Sequence, residues 1–433
     1  MRSVFLVVAA LAAASLHGTA AAQTATTAPA SALPLTLAEA QRLAETASAA
    51  VRLREAQLAA AEGQRQAAST LLANNPELGL ERSSTRTRNN PSPDDSARGW
   101  TAGVSQSFEI GGQQSRRREA ASAALDALRA EIDATRRQAR ADAALRFVAV
   151  LAAQRRVAIE QRSVELFDVG AQAVARRRAA GEDTRLDANV ALVEAERSRN
   201  ALGLARERWL EARSELAALL QLPASAVPEV AGELAPPAAA TSPYTLDQLL
   251  ASTQASTRLR ALVSRQDAAR ARLGVERASQ LPDVTVGVNV GRDGPGAARD
   301  RVTTLILSVP LPLFKRNDAA IGQALTEVQQ ADIERSVALR DQEALVRRLW
   351  SRMASQRERI ERLQRALLPA SADNQQLAAR SRQAGQIGVL DQLVINRQAL
   401  DADRELTDAL AEYQATQIEL ENAAGWPLEG TKP

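Results

Sequence analysis

Residues 284–290 read VTVGVNV, with Val284, Val286, Val288 and Val290 on one face and Thr285, Gly287 and Asn289 on the other. Alternation of this kind predicts a β-strand. Beyond a Gly-Arg-Asp loop, Leu305, Leu307, Val309 and Leu311 alternate again. An earlier pair matches it, with Trp100, Ala102, Val104, Phe108 and Ile110 facing one way and Thr101, Gly103, Ser105, Ser107 and Glu109 the other. These patterns predict strands over about 76–84, 100–110, 283–291 and 302–312. Elsewhere the period changes. Leu125, Leu128, Ile132, Ala139, Leu145, Val148 and Leu151 recur in a heptad-like, Ala-rich spacing, which predicts long helices joined by narrow seams. Long helices are expected over about 114–180 and 317–384, with return helices over 186–221 and 388–424. At 1.5 Å per residue the long ones reach on the order of 100 Å.

The pattern occurs twice. LPLTLAEAQRLA (33–44) is echoed by SPYTLDQLLAST (242–253), NPELGLE (75–81) by LPDVTVGV (281–288), and SQSFEIGG (105–112) by SVPLPLFK (308–315). AGEDTRLDANV (180–190) likewise matches AGQIGVLDQLV (384–394). The nearly constant offset makes the chain two tandem copies. The expected organisation is a leader over 1–22, a first repeat over 23–222, a linker over 223–243 and a second repeat over 244–433. The Pro/Ala-rich linker has too little periodicity for an element and reads as a solvated connector. Each copy is helix, helix, strand, strand, very long helix, helix.

Composition narrows the chemistry. The first residues carry one Arg, an apolar stretch from Val4 to Leu16 and an A-x-A at Ala20–Ala22, the pattern of a secretory signal peptide cut after Ala22. The single histidine, His17, falls in that leader, and the chain has no cysteine. The exported part therefore lacks imidazole and thiolate metal sites, Ser-His or Cys-His catalysis and disulfides. No enzyme activity and no cofactor are expected. With 54 basic and 51 acidic residues, the charge is nearly balanced, and the arginine runs read as solvated helix faces rather than a nucleic-acid site.

Apolar residues on one face of a ten-residue strand and small polar ones on the other suit a transmembrane β-barrel. A half-buried strand of a soluble sheet shows the same alternation. Two arguments favour the membrane. No segment after the leader approaches 18 continuous apolar residues, so any spanning part must be strand. Two isolated hairpins would also be marginal in water. Four strands cannot close a barrel, which needs about eight, so the chain is expected to oligomerise through its edge strands.

Taken in order, LTLAEAQRLA, LPDVTVGV with SVPLPLFKRN, and the two AG-x4-LD segments resemble the outer membrane factors, the TolC-like channel-tunnels. The resemblance covers nearly the whole exported chain. PLPLFKRN and the absence of a lipidation cysteine are most similar to the heavy-metal branch, which serves cobalt-zinc-cadmium-type pumps. The implied fold is mainly α with a small transmembrane β part. It implies a homotrimer whose twelve-stranded barrel sits in the outer membrane of a Gram-negative bacterium, on an α-helical periplasmic tunnel. A periplasmic adaptor and an inner-membrane RND pump are the implied partners, with outer-membrane lipid around the barrel. The implied function is passive export, most similar to that of divalent heavy-metal cations. Drug efflux or type I protein secretion would use the same conduit. A soluble periplasmic coiled-coil adaptor is the competing class, but it should carry one hairpin rather than two.

Particular residues carry expectations. Gly181 and Gly385 read as left-handed helix ends. In the family these turns are the periplasmic tip, which implies adaptor contact by Thr184, Arg185, Leu186, Gly388, Val389 and Leu390 as exposed residues. Asp187 and Asp391 suit the first turn of a helix. Alternatively they form a ring of carboxylates at the aperture, joined by Glu182 and Asp183, that selects cations. Pro369 should bend or break the second long helix. Pro310 and Pro312 are expected to end a strand near Leu311 and to forbid an early helix start, a barrel-to-tunnel joint that the first copy makes with Gly111 and Gly112. The polar loops 83–99 and 291–300 should face the exterior.

Overall fold

A computed structural model describes residues 34–87, 95–223, 227–237, 243–293 and 300–428. The expected leader and the centres of both hairpin loops lie outside the described residues. The first copy comprises α1 (Leu37–Ala47), α2 (Ala49–Ala68), β1 (Glu77–Thr87), β2 (Asp95–Phe108), α3 (Gln113–Ala179) and α4 (Arg185–Leu219). The second comprises α5 (Leu246–Thr253), α6 (Thr257–Ala278), β3 (Val284–Asp293), β4 (Asp300–Ser308), α7 (Asp318–Arg362), a π-helical turn (Leu363–Leu367), α8 (Leu368–Gln383) and α9 (Val389–Ala424). Local chemistry starts the elements alike in both copies. Thr36 and Thr245 cap α1 and α5, each with a reciprocal partner three residues on, Glu39 or Gln248, so both opening motifs are capping boxes.

Both long helices start from a residue with left-handed backbone, Gly112 at φ 73° and Asn317 at φ 61°. Glycine takes that conformation freely, and asparagine is among the side chains that tolerate it. Gly111 is needed for a second reason. A Cβ there would lie 2.7 Å from the Leu281 Cβ, and its N–H donates to the Gln113 Oε1 at 2.6 Å while Gln113 donates to the Leu281 carbonyl at 2.8 Å. In the second copy the Asn317 amide donates to the Glu276 carbonyl at 2.9 Å. Pro310 and Pro312 lie in the irregular segment between β4 and α7, as expected of a joint. Strand β4 nevertheless ends at Ser308 rather than near 312, because ladder pairing with β3 stops at Thr285.

Pro369 does not break its helix. The π-helical turn immediately before it absorbs the lost N–H, and Pro369 sits in the first turn of α8, where no donor is needed. The linker also differs from expectation. Leu35 and Val230 form a parallel bridge, with Leu35 N–H donating to the Glu229 carbonyl at 2.7 Å. Val230 and Leu234 are buried in the same cluster as Phe147, Leu151 and Leu216. Too few apolar residues fall there to produce a period, yet α3 and α4 provide a surface that holds them.

That cluster joins the two copies. Ala139, Ala143, Ala144, Phe147, Val150 and Leu151 of α3 share it with Val346, Leu349 and Ile360 of α7 and with Leu410 and Leu420 of α9. Alanines let helices approach closely, which is why so low an aromatic content suffices. At its edge Tyr244 packs tilted against Trp350 and edge-on against Trp426, with ring centroids 6.2 and 5.5 Å away. Arg137 donates to the Glu421 and Trp426 carbonyls at 2.7 and 2.5 Å, and burial, with Arg140 nearby, lowers its pKa to about 10.

The four strands form one antiparallel sheet in the order β1-β2-β3-β4. Phe108 pairs with Val284, and Thr285 with Ser308, so every connection to a helix leaves the sheet at that end. Register aligns Leu78, Val104, Val288 and Leu305 in one row and Leu80, Ala102, Val290 and Thr303 in the next. The opposite face holds Gly79, Gly103, Asn289 and Thr304 in a row, with Val302 and Ile306 as apolar exceptions. Leu78, Leu80, Leu305 and Leu307 are 69–77% exposed in the single chain. Strands β1 and β2 extend further toward their loop than the predicted bounds, reaching Thr87 and starting at Asp95.

Gly425 closes α9 at φ 73°, and a Cβ there would lie 2.9 Å from the Ser256 Cα. Gly181 and Gly385 have similar φ but open space around them. Gly181→Ala should therefore cost only the left-handed penalty, about 1 kcal/mol. Gly425→Ala should cost at least twice that, and thermal unfolding of the purified channel measures the difference. Equal melting temperatures would contradict the packing at Gly425.

Candidate functional site

The ends of the two long hairpins come together at one place. At each, the long helix closes with a Schellman motif. Glu182 N–H donates to the Arg177 carbonyl at 2.9 Å and Gly181 N–H to Arg178 at 3.0 Å. In the second copy Gln386 N–H donates to Ser381 at 2.8 Å and Gly385 N–H to Arg382 at 3.1 Å. The glycines have φ of 83° and 73°, as the sequence pattern predicts.

The return helices then start on Thr184 and Gly388. Thr184 Oγ1 accepts from Asp187 N–H at 3.1 Å, while Thr184 N–H donates to Asp187 Oδ2 at 3.0 Å. Thr184 Oγ1 also donates to that carboxylate at 2.6 Å. The two Thr184 hydrogen bonds, side chain first and backbone second, hold the Asp187 carboxyl below the usual range. Gly388 has no side chain, so only the returning half of the box exists there, with Gly388 N–H donating to Asp391 Oδ2 at 3.2 Å. Both aspartates therefore cap helices, the plainer of the two roles expected of them.

Asp183 does something the sequence did not suggest. Its buried carboxylate takes both oxygens to Arg382 Nη2 at 2.8 Å and lies 3.3 Å from Arg177. Arg382 belongs to α8, so this ion pair ties the first hairpin's turn to the second hairpin. Arg382 also donates to the Ile387 carbonyl at 3.3 Å. Glu182 is exposed and lies 3.5 Å from Arg177. Arg382 sits in an arginine-rich run, SRQ after AAR, with nothing in its spacing to single it out.

Above the tip, two further carboxylates join the copies. Glu160 of α3 is buried and accepts Arg404 of α9 at 2.9 Å, with a second, shorter contact, and Arg156 at 3.0 Å. Glu194 of α4 pairs with Arg397 of α9 and with Arg197 at 2.8 Å. Burial pushes the Glu194 carboxyl up, but Arg397 and Arg197 more than offset it, so its net pKa is lowered. Desolvation of Arg404 is likewise outweighed by its bonds to Glu160 and Asp401, and its pKa is raised.

Of the proposed contact residues, Thr184, Arg185, Leu186, Gly388 and Leu390 are exposed, and Leu186 and Leu390 take equivalent places in the two copies. Val389 is not. It is buried with Ile159, Phe167, Val174, Ala191, Leu393 and Leu400, because the first apolar residue of α9 turns inward to start the seam. Among the described residues no group of three or more His, Cys, Asp or Glu could hold a metal, and no helix is long and apolar enough to cross a membrane.

The sequence matches the family described as "Outer membrane efflux protein" over residues 42–221 and 249–426. It is 30% identical, over 321 residues, to the cobalt-zinc-cadmium resistance protein CzcC of Cupriavidus metallidurans, covering 73% of either chain. The fold is similar to that of the outer membrane protein VceC of Vibrio cholerae, with a TM-score of 0.70 at 19% identity, covering 91% of this chain and 97% of that one. It is also similar to the open-state MtrE outer membrane channel of Neisseria gonorrhoeae, with a TM-score of 0.69 at 18% identity, covering 90% and 89%. An adaptor or an enzyme is thereby set aside, and the two tandem copies, the open sheet and the paired hairpin tips have a common explanation: the chain belongs to the outer membrane efflux protein family.

Proposed function

We propose that this outer-membrane efflux channel exports divalent heavy-metal cations, as a homotrimer in which three four-stranded sheets close one twelve-stranded barrel. Its partners on this reading are a periplasmic adaptor, met by Leu186, Leu390 and the neighbouring turn residues, and an inner-membrane RND pump that supplies the energy. The similarity to a cobalt-zinc-cadmium resistance protein over most of the chain carries the choice of substrate. Without histidine or cysteine in the exported part, the channel selects little by coordination, so specificity belongs to the pump.

The open sheet supports the trimer. Strands β1 and β4 each have a free edge, and in lipid such an edge must be paired. The tip supports a gate. The Asp183–Arg382 pair ties the two hairpins of one chain together, so separating them requires breaking a buried ion pair. Removing one partner of such a pair costs about 3 kcal/mol or more. Asp187 and Asp391, although capping, are not buried, so on this reading they line an aperture formed by three copies.

Deleting the gene should increase sensitivity to zinc, cobalt or cadmium, with the plasmid-borne gene restoring tolerance. Unchanged metal tolerance together with new drug sensitivity would overturn the metal reading and leave the conduit. In planar bilayers Arg382→Ala should raise single-channel conductance severalfold by freeing the second hairpin, and an unchanged conductance would contradict the clasp. The Asp187→Asn/Asp391→Asn channel should lose cation preference. Unchanged ion selectivity would leave these aspartates as helix caps alone.

A further inference from the structure

The charged residues of the sheet are sorted by face. Among strand residues whose side chains are described, Arg82, Arg98, Arg292 and Arg301 share the face of Leu78, Leu80, Val104, Val288 and Leu305. Glu77, Glu81 and Asp300 all lie on the opposite, small and polar face. Cations on an apolar face and carboxylates on the polar one are not what solubility alone would select. The arginines are also placed at one height. Arg82 pairs with Trp100, Trp100 with Arg292 and Arg292 with Arg301, a continuous row across all four strands. Arg98 stands one row further toward the loop, opposite Ser84.

The row sits at the end of the sheet away from the helices. Between it and Phe108 the same face carries only uncharged residues: Leu80, Ala102, Val290 and Thr303, then Leu78, Val104, Val288 and Leu305, then Gln106, Val286 and Leu307. From Trp100 to Phe108 the strand rises roughly 26 Å, at about 3.3 Å per residue. Tilted by about 35–45°, that rise projects to roughly 19–22 Å, most of the apolar band of an outer-membrane barrel, about 25 Å. The helices occupy the periplasmic side, so the arginine row lies at the exterior water–lipid boundary. Trp100, half exposed, takes the place of a girdle aromatic. Among the described residues no carboxylate pairs with Arg82, Arg98, Arg292 or Arg301, whereas the helical arginines are extensively paired.

We infer that Arg82, Arg292 and Arg301, extended by Arg98, form a binding row for the phosphate groups of outer-leaflet lipid headgroups. Neighbouring strands lie about 4.8 Å apart, so guanidinium groups on adjacent strands can share one phosphate. Arginine suits this work because its planar fork takes two phosphate oxygens at once. Repeated in each of three copies, the row would encircle the barrel with a belt of bound phosphate and fix its depth. The inference rests on the barrel reading given above.

The test uses the full-length channel in detergent, with phosphorylated lipid A, enzymatically dephosphorylated lipid A and inorganic phosphate as probes. Native mass spectrometry counts the lipids retained, and planar-bilayer conductance reports insertion. At about fivefold per arginine, phosphorylated lipid A should bind on the order of a hundredfold more tightly than the dephosphorylated form. An Arg82→Gln/Arg292→Gln/Arg301→Gln channel should lose that preference while still inserting and conducting. Inorganic phosphate should not compete at equal concentration, since a free anion lacks the apolar anchor below the row. Equal retention of both lipid forms by a conducting wild-type channel would overturn the phosphate row alone, and so would an unchanged preference in the triple variant. Competition by inorganic phosphate would overturn the lipid as its source. A wild-type protein that neither inserts nor conducts would overturn the barrel and the row together.

Discussion

Everything in the membrane-facing part depends on two strand edges. A four-stranded sheet in the order β1-β2-β3-β4 leaves the outer side of β1 and of β4 without partners, and an unpaired backbone polar group in hydrocarbon costs several kcal/mol. The apolar face that makes the sheet suitable for lipid is the same face that makes it unsuitable for water. On the barrel reading proposed above, a single chain is therefore not the working unit. The constraint explains why the tandem copies contribute two hairpins to one sheet, and why the helices attach at one end only, leaving both long edges clear.

Below the membrane, the problem is to hold long, thin helices in fixed relation with few aromatic residues. Alanine seams give close approach but little buried area, and burial at roughly 25 cal/mol per Å² rewards large side chains more. The chain adds ion pairs between copies whose carboxylates are buried, Glu160–Arg404, Glu194–Arg397 and Asp183–Arg382. Such pairs are weak sources of stability but strong sources of register, since a shift leaves a charge buried alone. Their concentration toward the hairpin tips places the greatest sensitivity to sliding where an aperture would open. Among the described residues, the larger of the two apolar clusters shared by both copies lies nearer the sheet, and it includes the linker residues Val230 and Leu234.

Much of this was legible in the sequence. The period-2 runs located β2, β3 and β4, the repeat located β1 and the short opening helix of each copy, and Gly181 and Gly385 marked the ends of the long helices. What was missed shares one cause: it depends on partners distant in sequence. Arg382 is one arginine among many until Asp183, about two hundred residues earlier, is brought beside it. Val389 looks like a loop residue until α3 and α4 surround it. The buried stretch of the linker has no internal period, because its order comes from the surface it lies on. Pro369 has a strictly local effect that the sequence did anticipate, but a π-helical turn is a gentler answer than a break. The second copy's joint shows the same limit. Its prolines were legible, whereas the left-handed Asn317 tied to Glu276 was not.

The most direct measurement of closure through the edges is disulfide trapping between chains. The protein contains no cysteine, so introduced pairs report without background. Channels carrying one cysteine in place of Leu78 on β1 and one in place of Thr303, Leu305 or Leu307 on β4 would be oxidised in the membrane and run under denaturing conditions. Cross-strand neighbours bring their Cβ atoms to about 4.5–5.5 Å, so one of the three registers should give a covalently closed trimer that reduction returns to monomer. Monomers alone in every register, or ladders that pass beyond three, would contradict a barrel built from three four-stranded sheets.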